Sequence, residues 1–237
     1  MRKIWKGAGT MAGRRRGRSG GFGNVLLAVI LTLFIFSLAA VLVLNFKWLY
    51  YIDITLLGLE RRSGMDAASI KANYDALIQY NQFWFKGDLQ FPSLIMSATG
   101  RIHFEEVKRI FVAVQYLCLA SFACCVIGMI RKRIKHQYGY LRIAGVLALT
   151  IPAALGVLAA PSWERFFVTF HQIFFQNNYW LFDSKTDPVI LILPEEYFMH
   201  CAIAILLCIL IGSLLCFFIY RRHRRMAAGR RRRETRQ

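Results

Sequence analysis

Four long apolar segments constrain this chain more than any other feature. They cover residues 24–46, 107–130, 141–160 and 199–220, and each is close to the roughly 20 residues that a helix needs to cross a bilayer. Hydrophobic residues make up 57% of the 237 residues and charged residues only 19%, a balance that a soluble domain rarely shows. The sequence therefore predicts an all-α integral membrane protein built as a four-transmembrane-helix bundle.

Basic residues are concentrated on one side of the predicted membrane. Segment 1–23, loop 131–140 and tail 221–237 hold most of the 31 Lys and Arg residues, whereas loops 47–106 and 161–198 hold eight basic and twelve acidic residues. An excess of Lys and Arg marks the cytoplasmic side of a membrane protein. We therefore expect both termini in the cytoplasm, and the two longer loops outside the membrane as a small cap.

The formal net charge of +18 does not by itself indicate a nucleic-acid partner. The arginine clusters flank the predicted spans, where topology requires them. They also suit attraction to anionic membrane lipids. We expect membrane lipid and no nucleic acid among the partners.

The first outward loop contains an amphipathic helical pattern. Asn73 and Gln79 lie on the polar face of this pattern, and Tyr80 lies at its end. Ser63 and Asp66 have the spacing of a capping box before it. The apolar face recurs with helical period and consists of Ile70, Tyr74, Leu77 and Ile78. We predict a helix that lies on the membrane surface.

Aromatic residues surround a turn signal later in the same loop, in "FWFKGDLQF". Aromatic runs on both sides of a Lys-Gly-Asp sequence are typical of a short hairpin. Aromatic rings also serve as anchors at the membrane interface. The stretch predicts a hairpin, or an edge that dips into the interface.

One histidine precedes the second span, in "GRIHFEEVKRIF". If the helix has already begun there, His103 and Glu106 share one face at i, i+3, and the carboxylate is able to orient the imidazole. The alternative is that Glu105 and Glu106 only mark a helix N-terminus, where negative charge is favoured. The local sequence leaves both interpretations open.

The second outward loop concentrates polar groups around another histidine, in "FHQIFFQNNYW". His171 is followed by amide side chains, among them Asn177, and by Trp180, with Asp187 further along. A histidine base and neutral donors are the groups that acyl transfer requires. Asn and Tyr also suit turns and aromatic belts, so His171 is either catalytic or incidental.

The remaining motifs point to no second chemistry. His200 precedes Cys201, but neighbours on a helix point about 100° apart, which disfavours a Cys-His nucleophile pair. All six cysteines fall in predicted spans, without the spacing of a zinc site. No metal ligand set and no nucleophile elbow is predicted.

Three ordered blocks resemble the lipoprotein intramolecular transacylase family, called Lit. The blocks are "ANYDALIQY", then "HFEEV" at the start of the second span, then "FHQIFF…W.FD..TDPVI.ILPEEYF". Their spacing, the span number and the orientation match most of the chain between the first and fourth spans. The Arg-rich ends are not part of the resemblance.

The resemblance implies acyl transfer within one substrate molecule. The family acts on bacterial lipoproteins whose N-terminal cysteine carries an S-diacylglyceryl group. It moves the sn-2 acyl chain to the α-amino group, which gives the N-acyl, S-monoacylglyceryl (lyso) form. The resemblance therefore implies a diacylated lipoprotein partner, no cofactor, and a place in the bacterial cytoplasmic membrane with the site on the extracytoplasmic side.

The same resemblance selects the site residues. Two of its blocks contain the histidines His103 and His171, which are identified as the catalytic acid and base, in an order that stays open. Glu106 and Asp187 are candidates to orient the imidazoles. The expected substrate or oxyanion contacts are Asn73, Tyr80, Asn177 and Trp180.

Two alternatives of other classes remain at this point. Aromatic outward loops also suit a non-catalytic protein that binds lipoprotein or lipid. Two histidines with nearby carboxylates also suit a metal-dependent lipid hydrolase, although a tighter ligand spacing is usual for one.

Overall fold

The computed structural model describes residues 19–134, 137–159 and 162–234, and all regular secondary structure within them is helical. The basic segment 1–18 and the tail residues 235–237 lie outside these ranges, as do small parts of two loops. The helices are α1 (Ser19–Asn45), α2 (Lys47–Leu56), α3 (Leu59–Ser63), α4 (Ala67–Tyr80), α5 (Ala98–Ile134), α6 (Gly139–Ala159), α7 (Trp163–Phe174), α8 (Val189–Ile192) and α9 (Glu195–Glu234).

Four helices of the described chain are long and apolar enough to cross a membrane: α1, α5, α6 and α9. This confirms the predicted four-helix membrane bundle. Two of them are longer than a bilayer requires, since α5 has 37 residues and α9 has 40. As a result the first turns of α5 and α9 extend past the predicted spans.

Helix α1 is the centre of the bundle, because it packs against α5, α6 and α9. Its contact face includes Ala28 and Ala39, and the facing side of α6 includes Ala144 and Ala148, all buried. Small residues let helix backbones approach closely, which favours association in a lipid environment. The spans are therefore held by close packing rather than by charge.

Residues 47–106 and 162–198, which we call the cap, share one hydrophobic core. The rings of Tyr50 and Tyr74 stack with centroids 3.7 Å apart. The Tyr50 hydroxyl donates to the Ile192 carbonyl at 2.7 Å, and the Tyr74 and Tyr197 hydroxyls are 2.7 Å apart. These bonds join the two loops into one unit at one end of the bundle.

The predicted amphipathic helix is present as α4, but its environment differs from the prediction. Its apolar face is buried in the cap core, and Asn73 from its expected polar face is fully buried as well. The capping box prediction is wrong: Asp66 is itself the N-cap and accepts from the Ser69 N–H at 2.8 Å. Ser63 instead donates to the Leu59 carbonyl at the end of α3.

The predicted hairpin at residues 83–91 is wrong. Residues 81–97 run through turns and bends without a strand or helix. Their aromatic rings pack on α5 rather than across a strand pair, as when Phe91 meets Phe104 at 5.7 Å and Phe83 meets Tyr116 at 5.5 Å. These side chains pack against the apolar surface of α5, so the segment does not need to form a strand pair.

Candidate active site

The first predicted histidine lies near the start of α5. The helix begins at Ala98, so His103 and Glu106 stand one turn apart, as predicted. His103 is only 5% exposed and contacts the edges of Phe175 and Phe182, with ring centroids 4.7 and 5.5 Å away. Its Nδ1 atom is buried and has no hydrogen-bond partner among the described residues.

The second histidine lies in the last turn of α7. His171 Nδ1 is 2.8 Å from the Phe167 carbonyl oxygen. Because a carbonyl only accepts, Nδ1 must donate, and Nε2 of the neutral ring then carries a lone pair. Burial lowers the pKa of His171 below the ordinary histidine value, against a smaller opposing effect of this hydrogen bond. The ring is therefore neutral at physiological pH, with a free base position.

The structure brings the two predicted histidines together. Their ring centroids are 6.2 Å apart, close enough for both imidazoles to contact the same small reacting group. Trp180 packs against His171 with ring centroids 4.8 Å apart, and Phe175 lies beside both imidazoles, at 4.7 Å from His103 and 5.6 Å from His171. The pair therefore stands in an aromatic, largely dry environment.

Glu106 is connected to this pair through an amide side chain. The side-chain amide of Asn177 donates to Glu106 Oε1 at 2.9 Å. The main-chain carbonyl of Asn177 accepts from the Trp180 indole N–H at 3.1 Å. The second carboxylate oxygen, Oε2, is buried without a hydrogen-bond partner among the described residues. Three predicted site residues thus form one chain of contacts that reaches His171.

Asp187 has a different position from the one expected of an imidazole-orienting group. Its carboxylate accepts from the Ser97 N–H at 2.8 Å and from the Thr186 hydroxyl at 2.8 Å. It also lies against Gly100, where an added Cβ would collide with it. Asp187 therefore joins the second loop to the start of α5, one turn before His103.

Asn73 and Tyr80 are engaged away from the histidine pair. The Asn73 amide donates to the Ser69 carbonyl and the Ser93 hydroxyl, both at 2.7 Å, and accepts from the Ser93 N–H at 3.2 Å. Tyr80 belongs to the cap core, with the Lys108 ammonium 4.1 Å above its ring. Their observed contacts hold α4 and the following segment in place.

A third histidine is paired in a way that the sequence did not indicate. His200 Nδ1 lies 2.9 Å from each carboxylate oxygen of Asp53, a residue that is 1% exposed. This pair joins the start of α9 to α2. His200 therefore does not form the Cys-His pair considered for it.

Sequence reasoning also missed the walls of the site. Phe175 and Phe182 pack directly on His103, and Phe167 supplies the carbonyl that fixes His171. Phe167 and His171 are four residues apart, and this helical spacing is the signal that could have indicated their contact within α7. The two other phenylalanines resemble interfacial anchors in sequence, and only the fold gives them a place.

Two cavities of the described chain have neither His103 nor His171 in their lining. One cavity of about 320 Å³ lies in the cap and includes Asp66, Ser93 and Pro188 in its lining. A smaller one of about 110 Å³ lies between α1 and α5. Among residues 19–134, 137–159 and 162–234, no three His, Cys, Asp or Glu side chains gather closely enough to hold a metal ion.

Known proteins resemble this chain in both sequence and structure. The family model described as lipoprotein intramolecular transacylase Lit matches residues 25–198. A search of curated proteins gave no match. An in meso structure of the membrane integral lipoprotein intramolecular transacylase Lit from Bacillus cereus superimposes with a TM-score of 0.87 at 40% identity, covering 90% of this chain and 100% of that one.

Two further structures of the Bacillus cereus protein carry a substitution at one histidine, to arginine in one and to alanine in the other. They superimpose with TM-scores of 0.81 and 0.82, each at 40% identity over 89% of this chain. The match extends over 94% and 96% of the lengths of those two chains. Because the family model spans most of the chain and the structural match spans nearly all of it, the resemblance seen in the sequence is confirmed, and the chain belongs to the lipoprotein intramolecular transacylase (Lit) family.

Proposed function

We propose that His103 and His171 carry out the acyl transfer of this family in the present chain. The observation that supports the proposal is the pair itself: two imidazoles 6.2 Å apart, with an unpartnered buried Nδ1 on one and a lone pair at Nε2 on the other. The two imidazoles are able to serve as acid, base or hydrogen-bond donor once a substrate contacts them. The substrate is a diacylated lipoprotein, and the product is its lyso form.

The reaction requires no nucleophile from the protein. The α-amino nitrogen of the lipidated cysteine attacks the sn-2 ester carbonyl, and the tetrahedral intermediate contains an eight-membered ring. The bond from carbonyl carbon to the sn-2 oxygen then breaks, which leaves an amide and a glyceryl hydroxyl. Replacement of an ester by an amide is favourable, so no energy-rich donor is needed.

Two protons must move during this transfer. The α-ammonium, with a pKa of about 8, first loses one proton to solvent, which gives the nitrogen its lone pair. After attack, the nitrogen loses a second proton and the departing sn-2 oxygen gains one. We assign this second transfer to His171, whose Nε2 is the free base position.

His103 is then the group that faces the developing oxyanion. Burial disfavours a charge on its ring, so the neutral imidazole acts as an N–H donor to the carbonyl oxygen. Removing one such donor from an oxyanion site costs about 100-fold or more in rate. The phenylalanines around His103 keep water out and strengthen this hydrogen bond.

The aromatic walls have a second purpose in this reaction. Closure of a flexible eight-membered ring is entropically unfavourable, and enforced proximity supplies several kcal/mol toward the barrier. Phe175, Phe182 and Trp180 restrict the space in which the two reacting ends of the substrate can lie. The substrate's acyl chains would enter from the surrounding lipid between the helices.

We further propose that the cap faces the extracytoplasmic side of a bacterial cytoplasmic membrane. The basic ends of the chain and the loop between α5 and α6 support this orientation, because Lys and Arg mark the cytoplasmic side. A fluorescent protein fused after residue 237 should then fluoresce, and alkaline phosphatase fused there should be inactive. The opposite pattern would reverse the topology.

The reaction is tested by expressing the chain with a diacylated lipoprotein in a host that lacks N-acylation. Mass spectrometry of the lipoprotein's N-terminal peptide should show one acyl chain on nitrogen and one fewer on glycerol. The His103→Ala variant at equal protein level should leave the lipoprotein diacylated. Normal product from that variant would remove His103 from the mechanism.

Other outcomes of the same assay identify the alternatives. Loss of an acyl chain from glycerol without gain on nitrogen would indicate a lipid hydrolase. An unchanged lipoprotein in the presence of the wild-type chain would indicate a binding protein. Either result would contradict the proposed reaction.

A further inference from the structure

We propose that Glu106 is the receptor for the α-ammonium of the lipidated cysteine, which it holds through its free Oε2 atom beside His103. This inference rests on the proposed function, because it assigns a role in positioning the nucleophile of that reaction. It gives Glu106 a substrate as partner, where the sequence pattern had suggested an imidazole.

The two oxygens of the Glu106 carboxylate have different environments. Oε1 accepts from the Asn177 amide at 2.9 Å, which fixes the carboxylate on the side of the histidine pair. Oε2 is buried and has no hydrogen-bond partner among the described residues. A buried acceptor without a partner costs free energy, so a donor that the substrate supplies to Oε2 relieves a cost that the free protein bears at this point.

No cation of the described chain forms an ion pair with the Glu106 carboxylate. The ion pairs within these residues are Lys47–Asp75, Arg62–Glu196 and His200–Asp53, and none includes Glu106. Lys108 is engaged elsewhere, since its ammonium donates to the Phe85 carbonyl at 3.2 Å and lies above the Tyr80 ring. The nearby imidazoles are neutral, because burial of the His103 ring and partial burial of the His171 ring disfavour a positive charge. The cation that suits this position is therefore one that the substrate brings.

The α-ammonium of the substrate matches the site in donor number as well as in charge. Glu106 and His103 are separated by one helical turn, a rise of about 4.5 Å along α5, and side chains at this spacing are neighbours. Glu106 Oε2 and His103 Nδ1 are both buried, and neither has a partner in the part of the chain that the structure describes. An ammonium group placed between them donates one hydrogen bond to each and keeps a third proton for removal.

This arrangement also sets the tautomer of His103. If Nδ1 accepts from the ammonium, the proton of the neutral ring is on Nε2. The Nε2–H group then donates to the carbonyl oxygen in a later step, after the amine has lost a proton and has left Nδ1 to attack the ester. The same histidine therefore serves first the nitrogen and then the carbonyl.

The proposal has a consequence for specificity. A lipoprotein that is already N-acylated has a neutral amide in place of the ammonium, so it loses the ion pair with Glu106. The product of the reaction loses it too, which favours product release. Glu106 therefore selects substrates with a free α-amino group.

The test compares two unreactive ligands that differ only at the nitrogen. Both are short lipopeptides with ether-linked chains in place of esters, one with the α-ammonium and one with hydrogen in its place. Wild-type protein should bind the ammonium ligand at least 10-fold more tightly, measured in detergent at pH 7. In Glu106→Gln, which keeps the size and the contact to Asn177, this preference should disappear.

Glu105→Gln is the matched control, because it removes a carboxylate from the adjacent position of the same helix. It should keep the preference of the wild type. Persistence of the full preference in Glu106→Gln would overturn the proposal, and so would equal binding of the two ligands by the wild type. If Glu106→Gln does not fold, Glu106→Ala takes its place.

A separate measurement distinguishes this failure from failure of the proposed function. The same wild-type preparation is given the ester-linked lipopeptide, and formation of the N-acyl product is followed by mass spectrometry. Product formation without ammonium preference leaves the transacylase function standing and removes the role of Glu106. Absence of product contradicts the function itself.

Discussion

The cap and its junction with the bundle contain two histidine-carboxylate arrangements that differ in one respect. His200 is paired with buried Asp53 at 2.9 Å, and this pair joins α9 to α2. His103 has Glu106 one turn away, yet its Nδ1 and the Glu106 Oε2 are both buried and find no partner within the described parts of the chain. One arrangement is complete in the free protein, and the other is not.

The difference separates a structural role from a catalytic one. A buried pair with its hydrogen bonds made resists change, because loss of either partner leaves an uncompensated polar group. Buried polar groups without partners are rare in folded proteins and require an explanation. In the His103–His171 region the explanation that we propose is a substrate that brings the missing donors and acceptors.

The largest effect is expected from removing His171, the proposed base beside the incomplete arrangement. His171→Ala should reduce the single-turnover rate of acyl transfer at least 100-fold, because general base catalysis contributes about 10²–10⁴-fold. Its thermal stability should change little, since the ring is partly exposed and makes its one hydrogen bond within α7. A rate within 3-fold of wild type would remove His171 from the mechanism.

Removing the acid of the complete arrangement should affect stability instead. Asp53→Ala leaves His200 without its partner and should lower the free energy of unfolding by about 3 kcal/mol, seen as a lower melting temperature in detergent. The matched control is Glu196→Ala, whose more exposed pair with Arg62 should contribute less than about 1 kcal/mol. Equal melting temperatures for the two variants would contradict a structural role of the buried pair.

An intermediate effect is expected at the contact between the second loop and α5. A Cβ at Gly100 meets the Asp187 carboxylate, so Gly100→Ala must displace Asp187 or shift the first turn of α5. Because a small misplacement of a catalytic group has a large effect on rate, activity should fall about 10-fold. Gly156→Ala, whose Cβ meets no atom of the described residues within 4 Å, should leave activity unchanged, and equal rates for both variants would contradict the coupling.

The smallest effect is a shift in titration. Burial lowers the pKa of His171 from the ordinary value of 6.5, so the unfolded chain binds a proton there at a higher pH than the folded one. The stability from this group is therefore complete above pH 6.5 and decreases as the pH falls below it. An NMR titration of the labelled ring should have its midpoint below 6.5, and a midpoint above that value would contradict the buried position.

The sequence predicted the bundle well because its signal is simple. An apolar run of membrane length has few alternatives to a spanning helix, and α1, α5, α6 and α9 all follow from it. The period of α4 was equally clear. Its environment was not, because an apolar stripe looks the same whether it faces lipid or the core made by Tyr50 and Tyr197.

The candidate site was predicted in part for a related reason. His103 and His171 lie in blocks that resemble a known family, so they were found although 68 positions separate them. The contacts of Glu106 with Asn177 and of Asp187 with Ser97 depend on how two distant loops meet. No local pattern contains that information, and the same holds for the pairing of Asp53 with His200.

The most direct measurement compares the two arrangements in one assay. Purified His103→Ala and His200→Ala are given the ester-linked lipopeptide, and the single-turnover rate of N-acyl product formation is divided by the folded fraction of each sample. His103→Ala should be at least 100-fold slower than wild type per folded molecule, and His200→Ala should be within about 3-fold of wild type even where less of it is folded. Equal losses per folded molecule in the two variants would contradict the assignment of acyl transfer to the unpaired arrangement.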